Sequence, residues 1–188
     1  CYDRPDLELP AHQKNLLRAV QAANPNTVLT VVSSYPYALG EAKELLPAIL
    51  YTTHAGPELG NAVADTLLGK NNPAARCPIT WYRSAQDLPD IMEYDIISAE
   101  RTYLYDTVEP LFPFGHGLSY SSFVYRDFTA EEKPEGMLFR LTVENTSQRD
   151  GDEVVQLYYR ALHPRVKRPL RQLCGFQRVP VPANTAVP

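Results

Sequence analysis

Cysteine is scarce in this sequence, and none of it is paired. The 188 residues include three cysteines, Cys1, Cys77 and Cys174, and no two of them form a CxxC pair. An odd number of widely spaced cysteines argues against a zinc site and against a disulfide framework. We therefore predict no metal ligands, and we interpret the cysteines as small apolar side chains.

The sequence also lacks an excess of positive charge and any long apolar run. The 18 Lys and Arg residues against 22 Asp and Glu residues leave a formal net charge of −4, so there is no basic field to attract nucleic acid. No apolar run approaches the roughly 20 residues that a membrane-spanning helix requires. We predict no nucleic-acid partner and no membrane partner, and the compartment stays open. Because the first residue is Cys1 rather than Met, we expect a piece of a longer polypeptide.

Helical and extended patterns alternate in the chain up to Gly69. The predicted elements, in order, are a helix at 6–24, a strand at 27–32, a helix at 38–46, a strand at 48–52 and a helix at 59–68. The two strands are apolar with little alternation, which is typical of parallel strands buried on both faces. This order predicts a parallel α/β sheet with right-handed crossovers. Gly69 is well placed to end the last helix in a left-handed conformation.

The pattern changes twice after the predicted sheet. Residues 83–122 are rich in aromatic side chains and are interpreted as a linker. Residues 137–144 then alternate apolar and polar, a period of two that predicts a half-buried antiparallel strand, and 153–159 predicts another. An immunoglobulin-type sandwich needs about 100 residues, so we expect 123–188 to form a truncated one. The predicted domains are therefore an α/β sandwich at 1–82, the linker, and the all-β domain.

Several motifs in a fixed order resemble the C-terminal half of glycoside hydrolase family 3, the group of β-glucosidases and β-xylosidases. They lie at 3–13 (DRPDLELPAHQ), 56–62 (GPELGNA), 64–73 (ADTLLGKNNP), 76–81 (RCPITW), 112–120 (FPFGHGLSY), 151–158 (GDEVVQLY) and 168–176 (RPLRQLCGF). Leu59, Ala75 and Cys77 depart from the family pattern without challenging the fold. The resemblance implies an α/β sandwich followed by a fibronectin type III-like domain.

The same resemblance implies where the chemistry resides. A retaining glycosidase needs two carboxyl groups about 5–5.5 Å apart, one as nucleophile and one as acid/base. In the family, the nucleophile is an Asp on an N-terminal (β/α)8 barrel, and alignment puts the acid/base Glu one position before Cys1. We therefore expect no catalytic residue in this chain and no hydrolysis by the chain alone. Its partners would be that barrel and a β-glycoside or oligosaccharide ending in glucose or xylose.

Six residues are candidates for substrate binding: Asp3, Arg4, Ser34, Tyr35, His54 and Glu58. The resemblance places the first two beside the acid/base, where they form an ion pair or contact sugar hydroxyls. The other four follow the two predicted strands, at the carboxyl edge where open α/β sheets bind ligands. Ordinary turn structure, with Glu58 bonding to backbone amides, is the alternative. Glu8 is better explained as a helix-capping or solvent-exposed side chain than as a catalytic residue.

Other interpretations stay open from the sequence. The aromatic residues Tyr103 and Tyr105 either stack on sugars or pack between domains, and His116 is expected to hold the linker against a domain surface. A non-catalytic carbohydrate-binding or scaffold module is an alternative for the whole chain. A nucleotide-binding domain is disfavoured because Gly56 and Gly60 lack the GxGxxG spacing, and we expect no cofactor.

Overall fold

A computed structural model describes residues 6–188. The helices are α1 (Ala11–Ala23), α2 (Gly40–Leu45), α3 (Leu59–Leu67) and the one-turn α4 (Thr102–Tyr105), with a 3-10 turn at Ala85–Asp87. The strands are β1 (Val28–Val32), β2 (Ala48–Thr52), β3 (Phe123–Lys133), β4 (Gly136–Asn145), β5 (Gly151–Tyr159), β6 (Gln172–Val181) and β7 (Ala186–Val187). None of the helices among these residues is long and apolar enough to cross a membrane.

Contacts group the described residues into two compact units. The first unit contains 6–59, 77–116 and 160–172, and the second contains 60–76, 117–159 and 173–188. Each unit therefore combines segments that are far apart in the sequence. The domain boundaries at residues 82 and 122 stay a prediction.

The first unit is built on the predicted parallel pair of strands. Strands β1 and β2 are parallel and in register from Val28 opposite Ala48 to Val32 opposite Thr52. The expectation that both faces are buried is wrong for β1, since Val28 and Val32 are both exposed. Within the described chain the sheet has two strands, so each strand keeps one unpaired edge.

The helices of the first unit lie close to their predicted positions. Helix α1 begins at Ala11, later than predicted, with Pro10 as its N-cap, and its C-cap Asn24 donates its backbone N–H to the Val20 carbonyl oxygen. Proline suits this boundary because its missing N–H would lack an intrahelical acceptor there. Leu17 is the buried residue of the helix. The core of the unit contains Leu17, Val31, Leu39, Ala42, Leu46, Trp81 and Leu111.

Trp81 connects the sheet with the motif at 112–120. Its indole lies edge-on to the ring of Tyr51, with centroids 4.8 Å apart, and to the ring of Phe112 at 6.3 Å. The backbone N–H of Trp81 donates to the Phe112 carbonyl oxygen at 2.9 Å. His116 stacks on Phe112 with ring centroids 5.1 Å apart. The first part of the motif is thus packed against the core of the first unit.

The second unit contains the β-rich end of the chain. Strands β3, β4 and β7 form an antiparallel sheet, and β5 pairs with β6. The strands predicted at 137–144 and 153–159 are confirmed as parts of β4 and β5. Gly69 has a φ of +73° after α3, as predicted. A buried Asn145 side chain donates to the Arg149 and Val181 carbonyl oxygens at 2.7 and 3.0 Å, which satisfies its amide inside the unit.

Candidate functional site

The candidate site lies at the carboxyl ends of β1 and β2. Because the two strands are parallel and Val32 is level with Thr52, the loops that follow them leave the sheet at the same edge. The backbone N–H of Ser33 donates to the Thr52 carbonyl oxygen at 3.0 Å, and the Tyr51 hydroxyl donates to the Ser33 carbonyl oxygen at 3.1 Å. These bonds fix the two loops relative to each other.

Ser33 shapes the first loop and Ser34 is presented by it. The buried Ser33 hydroxyl donates to the Tyr35 carbonyl oxygen at 2.7 Å and accepts from the Tyr35 backbone N–H at 3.2 Å. This side-chain turn satisfies backbone groups that a tight loop would otherwise leave unpaired. Ser34 is exposed, and Tyr35 is 47% exposed with its ring 5.8 Å from that of Tyr37. The loop offers a hydroxyl and an aromatic ring to solvent.

The second loop carries an imidazole and a carboxylate. His54 and Glu58 are both exposed and both precede α3. The backbone N–H of Leu59 donates to the Gly56 carbonyl oxygen at 3.1 Å, which forms the turn before the helix. The fold thus brings Ser34, Tyr35, His54 and Glu58 to one edge of the sheet. Their role as sugar ligands stays a prediction.

The remaining sequence candidates are placed differently. Asp3 and Arg4 lie outside the described residues. Glu8 forms an ion pair with the Lys14 ammonium at 2.6 Å, at the start of α1. That pairing agrees with the surface interpretation of Glu8. Within 6–188, no group of three or more His, Cys, Asp or Glu side chains has the arrangement of a metal site.

One polar pair in the first unit was not foreseen from the sequence. Burial, and next the Asp106 carboxylate, raise the pKa of the Tyr82 phenol well above its ordinary value. The Asp106 Oδ1 accepts the Val108 backbone N–H at 2.8 Å. Burial alone raises the pKa of the Cys77 thiol, which keeps it in its unreactive neutral form. The aromatic richness of 83–122 was a signal for this region, but nothing in it singled out Asp106.

The edge suits recognition of hydroxyl groups better than bond cleavage. It offers hydrogen-bond donors, acceptors and an exposed ring on two loops, and polar groups of these kinds can fix the orientation of a polar ligand. Its one carboxylate, Glu58, is a single member of the pair that glycoside hydrolysis requires. The described part of this edge therefore resembles one side of a binding site.

Comparisons with known proteins agree with the motifs. Residues 1–120 match the family model described as "Glycosyl hydrolase family 3 C-terminal domain", and residues 153–187 match "Fibronectin type III-like domain". A probable beta-glucosidase J of Aspergillus fumigatus is 38% identical over 199 residues, covering 95% of this chain and 23% of the relative. A xylan 1,4-beta-xylosidase of Xylanibacter ruminicola is 37% identical over 184 residues, covering 97% and 21%.

Solved structures show the same fold. A beta-glucosidase from Kluyveromyces marxianus superposes with a TM-score of 0.86 at 32% identity, covering 99% of this chain and 24% of that one. A family 3 beta-glucosidase from Bifidobacterium adolescentis gives a TM-score of 0.89 at 28% identity, covering 99% and 29%. The chain thus spans less than a third of the length of these proteins. Residues 1–120 account for most of the 188, and the match over them shows that this chain belongs to glycosyl hydrolase family 3, as its C-terminal domain with a fibronectin type III-like domain.

Proposed function

We propose that this chain works within a retaining glycoside hydrolase that removes a terminal β-linked glucose or xylose residue. The observation that carries this proposal is the family match over residues 1–120. The two relatives reported above are a probable beta-glucosidase and a xylan 1,4-beta-xylosidase, so a terminal sugar of one of these two kinds is the substrate we propose. The covalent route follows from the resemblance to the family.

The two catalytic carboxylates are proposed to lie outside these 188 residues. The nucleophilic Asp would belong to a (β/α)8 barrel and the acid/base Glu would immediately precede Cys1. Both groups must flank the scissile bond at about 5–5.5 Å from each other. The chain alone would therefore bind at most one side of the sugar and would not hydrolyse it, and the barrel is its proposed partner.

The sheet edge is proposed as one wall of the sugar site. The Ser34 hydroxyl, the His54 imidazole and the Glu58 carboxylate would bond sugar hydroxyls, and the Tyr35 ring would pack against the ring of the sugar. Their shared edge and their exposure support this assignment. Asp3 and Arg4 would complete the wall beside the acid/base Glu.

Turnover of nitrophenyl β-glucoside and β-xyloside tests the proposal. The chain alone should release no nitrophenol, and addition of the barrel-bearing polypeptide encoded upstream of Cys1 should restore release. In that mixture, Glu58→Gln should raise KM, whereas Glu44→Gln, a change at a carboxylate on α2 outside the edge, should leave KM unchanged. Hydrolysis by the chain alone that Glu58→Gln abolishes would overturn the proposal. Saturable sugar binding without any restored turnover would favour a non-catalytic binding or scaffold module.

A further inference from the structure

The first unit contains a cavity of about 240 Å³ that none of the sheet-edge candidates lines. Its walls come from three parts of the chain: Thr80, the segment from Tyr103 to Phe114, and the pair Leu170 and Arg171. The sequence marked this region only by its aromatic content. The arrangement of the walls indicates what kind of molecule the cavity accepts.

Two aromatic side chains of the lining fix each other's orientation. The rings of Tyr103 and Phe114 are stacked with their centroids 4.1 Å apart and their planes 9° from parallel. Each ring restricts the rotation of the other, so the pair forms a rigid surface at little further cost in side-chain entropy. The C–H face of a sugar ring is flat and weakly polar, and such a surface complements it.

A second wall carries the half-buried side chain of Asp106. The Asp106 Oδ1 is bonded by the Val108 backbone N–H, but its Oδ2 is buried and has no hydrogen-bond partner among the described residues. The Tyr82 phenol lies close enough for the carboxylate to raise its pKa, but it does not meet the geometry of a full hydrogen bond to Oδ2. A buried acceptor without a donor is unfavourable and uncommon in folded proteins. Because Asp106 lines the cavity, its carboxylate can accept a hydrogen bond from a hydroxyl of a molecule bound there.

The charged side chains and the volume of the cavity limit the class of molecule that it can bind. Asp106 disfavours an anion and Arg171 disfavours a cation, whereas a neutral molecule with several hydroxyl groups can donate to one and accept from the other. Thr80 offers a third polar group on the lining. The volume is below the roughly 300–1,000 Å³ of pockets that hold drug-sized ligands. One sugar ring fits within this volume and a second ring does not.

The walls are held together by contacts that need no ligand. The backbone N–H of Leu170 donates to the Leu104 carbonyl oxygen at 2.6 Å. The Lys167 ammonium bonds Glu100 Oε1 at 2.8 Å and the Ile97 carbonyl oxygen at 3.0 Å. The segment 160–172 is thereby fixed against α4 within the first unit. A cavity that exists before the ligand arrives loses less entropy when it binds.

We propose that this cavity is a binding site for a single neutral sugar ring, either a free monosaccharide or the terminal unit of a longer chain. Binding here breaks no bond. The proposal therefore goes beyond the proposed hydrolytic function and does not depend on it.

The test is a titration of the isotopically labelled 188-residue chain with glucose and with xylose, followed by amide chemical shifts. Saturable shifts should centre on Thr80, Tyr103, Asp106 and Phe114. Tyr103→Ala and Asp106→Asn should each weaken binding by about tenfold or more. Tyr94→Ala is the matched control, because Tyr94 belongs to the same unit, is 81% exposed and does not line the cavity.

Three outcomes would overturn the proposal: no saturable binding by the parent chain, affinity unchanged in both cavity variants, or shifts centred on Ser34, His54 and Glu58. The last result would assign the sugar to the sheet edge. If Tyr103→Ala fails to fold, Asp106→Asn decides, because it replaces the unpartnered oxygen with an amide of nearly the same size. This experiment needs only the chain itself. If the barrel-bearing polypeptide did not restore turnover, the proposed hydrolytic function would be contradicted, but the proposed binding site in the cavity would not be affected.

Discussion

Arg76 and Glu153 form a buried ion pair in the second unit, with Nη2 2.6 Å from Oε2 and side chains only 12% and 9% exposed. The Tyr125 hydroxyl donates to the other oxygen of Glu153 at 2.8 Å, and Arg76 Nη1 donates to the Ala74 and Ala75 carbonyl oxygens at 3.1 and 3.2 Å. Both charges are therefore paired and further hydrogen-bonded. The segment after α3, the start of β3 and β5 are connected through this group.

Removing one partner of this pair should destabilise the second unit strongly. Glu153→Gln leaves the Arg76 charge buried and uncompensated, and the expected loss is about 3–5 kcal/mol in the free energy of unfolding. Urea unfolding of the second unit measures it. Arg140→Gln is the control, since Arg140 pairs with Glu131 on the surface and the urea midpoint should not change.

A double variant separates the net contribution of the ion pair to the free energy of unfolding from the cost of leaving one charge unpaired. Arg76→Met combined with Glu153→Leu should recover most of the stability that Glu153→Gln loses, because no unpaired charge is left behind. A double variant as unstable as the single one would show that the hydrogen bonds to Ala74, Ala75 and Tyr125 matter more than the charges.

The second unit should lose stability at alkaline pH. Tyr125 is 49% exposed overall, but desolvation of its phenol first, and then the Glu153 carboxylate, raise the pKa of Tyr125 above its ordinary value. The folded state therefore holds the phenol proton more tightly than the unfolded state. The stabilisation is complete below a pH of about 10, where unfolded tyrosine is also protonated, and is lost as the pH rises above that value.

Urea titrations between neutral pH and about pH 11 check this dependence. Tyr125→Phe should flatten it for the second unit and should cost about 1–3 kcal/mol at neutral pH, because Glu153 loses a donor. Tyr94→Phe, at an exposed tyrosine of the other unit, should change neither the pH dependence of the second unit nor its stability at neutral pH. An unchanged slope in Tyr125→Phe would refute the assignment.

Asn72 makes four hydrogen bonds, three with Ser119, Tyr120 and Ser121 at and just after the end of the motif at 112–120 and one with Asp150 before β5. Its Nδ2 donates to Ser121 Oγ and to the Asp150 carbonyl oxygen, both at 2.8 Å, and its Oδ1 accepts from Ser119 Oγ and the Tyr120 backbone N–H, both at 2.9 Å. Asn72→Ala should lower the free energy of unfolding by about 1–3 kcal/mol, because two of the four bonds are partly buried and two are exposed. A calorimetric scan that shows no lower melting temperature would contradict this.

Two glycines should respond to alanine in opposite ways. A Cβ at Gly117 would lie 2.2 Å from the Ala75 carbonyl oxygen, so Gly117→Ala must displace backbone and should destabilise the second unit. A Cβ at Gly60 meets no atom within 4 Å in α3, and Gly60→Ala should add about 0.5–1 kcal/mol through helix propensity. Both effects are read from urea unfolding, and effects of the same sign would count against the packing described.

The elements with clear patterns were predictable from the sequence. Strand β2 has the predicted bounds, β1 begins one residue later, and α3 ends one residue earlier. Strand β3 was missed because it is mostly polar and its pairing with β4 shifts between Arg126 and Thr129, where Asp127 has a φ of 55°. A shift of that kind interrupts the period of two on which a strand prediction depends.

The functional sites were likewise predictable from the sequence only in part. Ser34 and Glu58 could be assigned to one sheet edge because parallel strands end on the same side, which follows from the order of elements alone. The cavity could not be predicted, since Leu170 and Arg171 reach Tyr103 only through the return of the segment 160–172. No local pattern encodes that contact.

The most direct test of the central claim is where a covalent intermediate forms. A fluorosugar inactivator, with fluorine on the carbon next to the anomeric centre, traps the glycosyl-enzyme of a retaining glycosidase. In the complemented mixture, mass spectrometry of the digested proteins should find the sugar on an Asp of the barrel-bearing polypeptide and on no peptide from residues 1–188. A label on any carboxylate of this chain, Glu58 above all, would contradict the account.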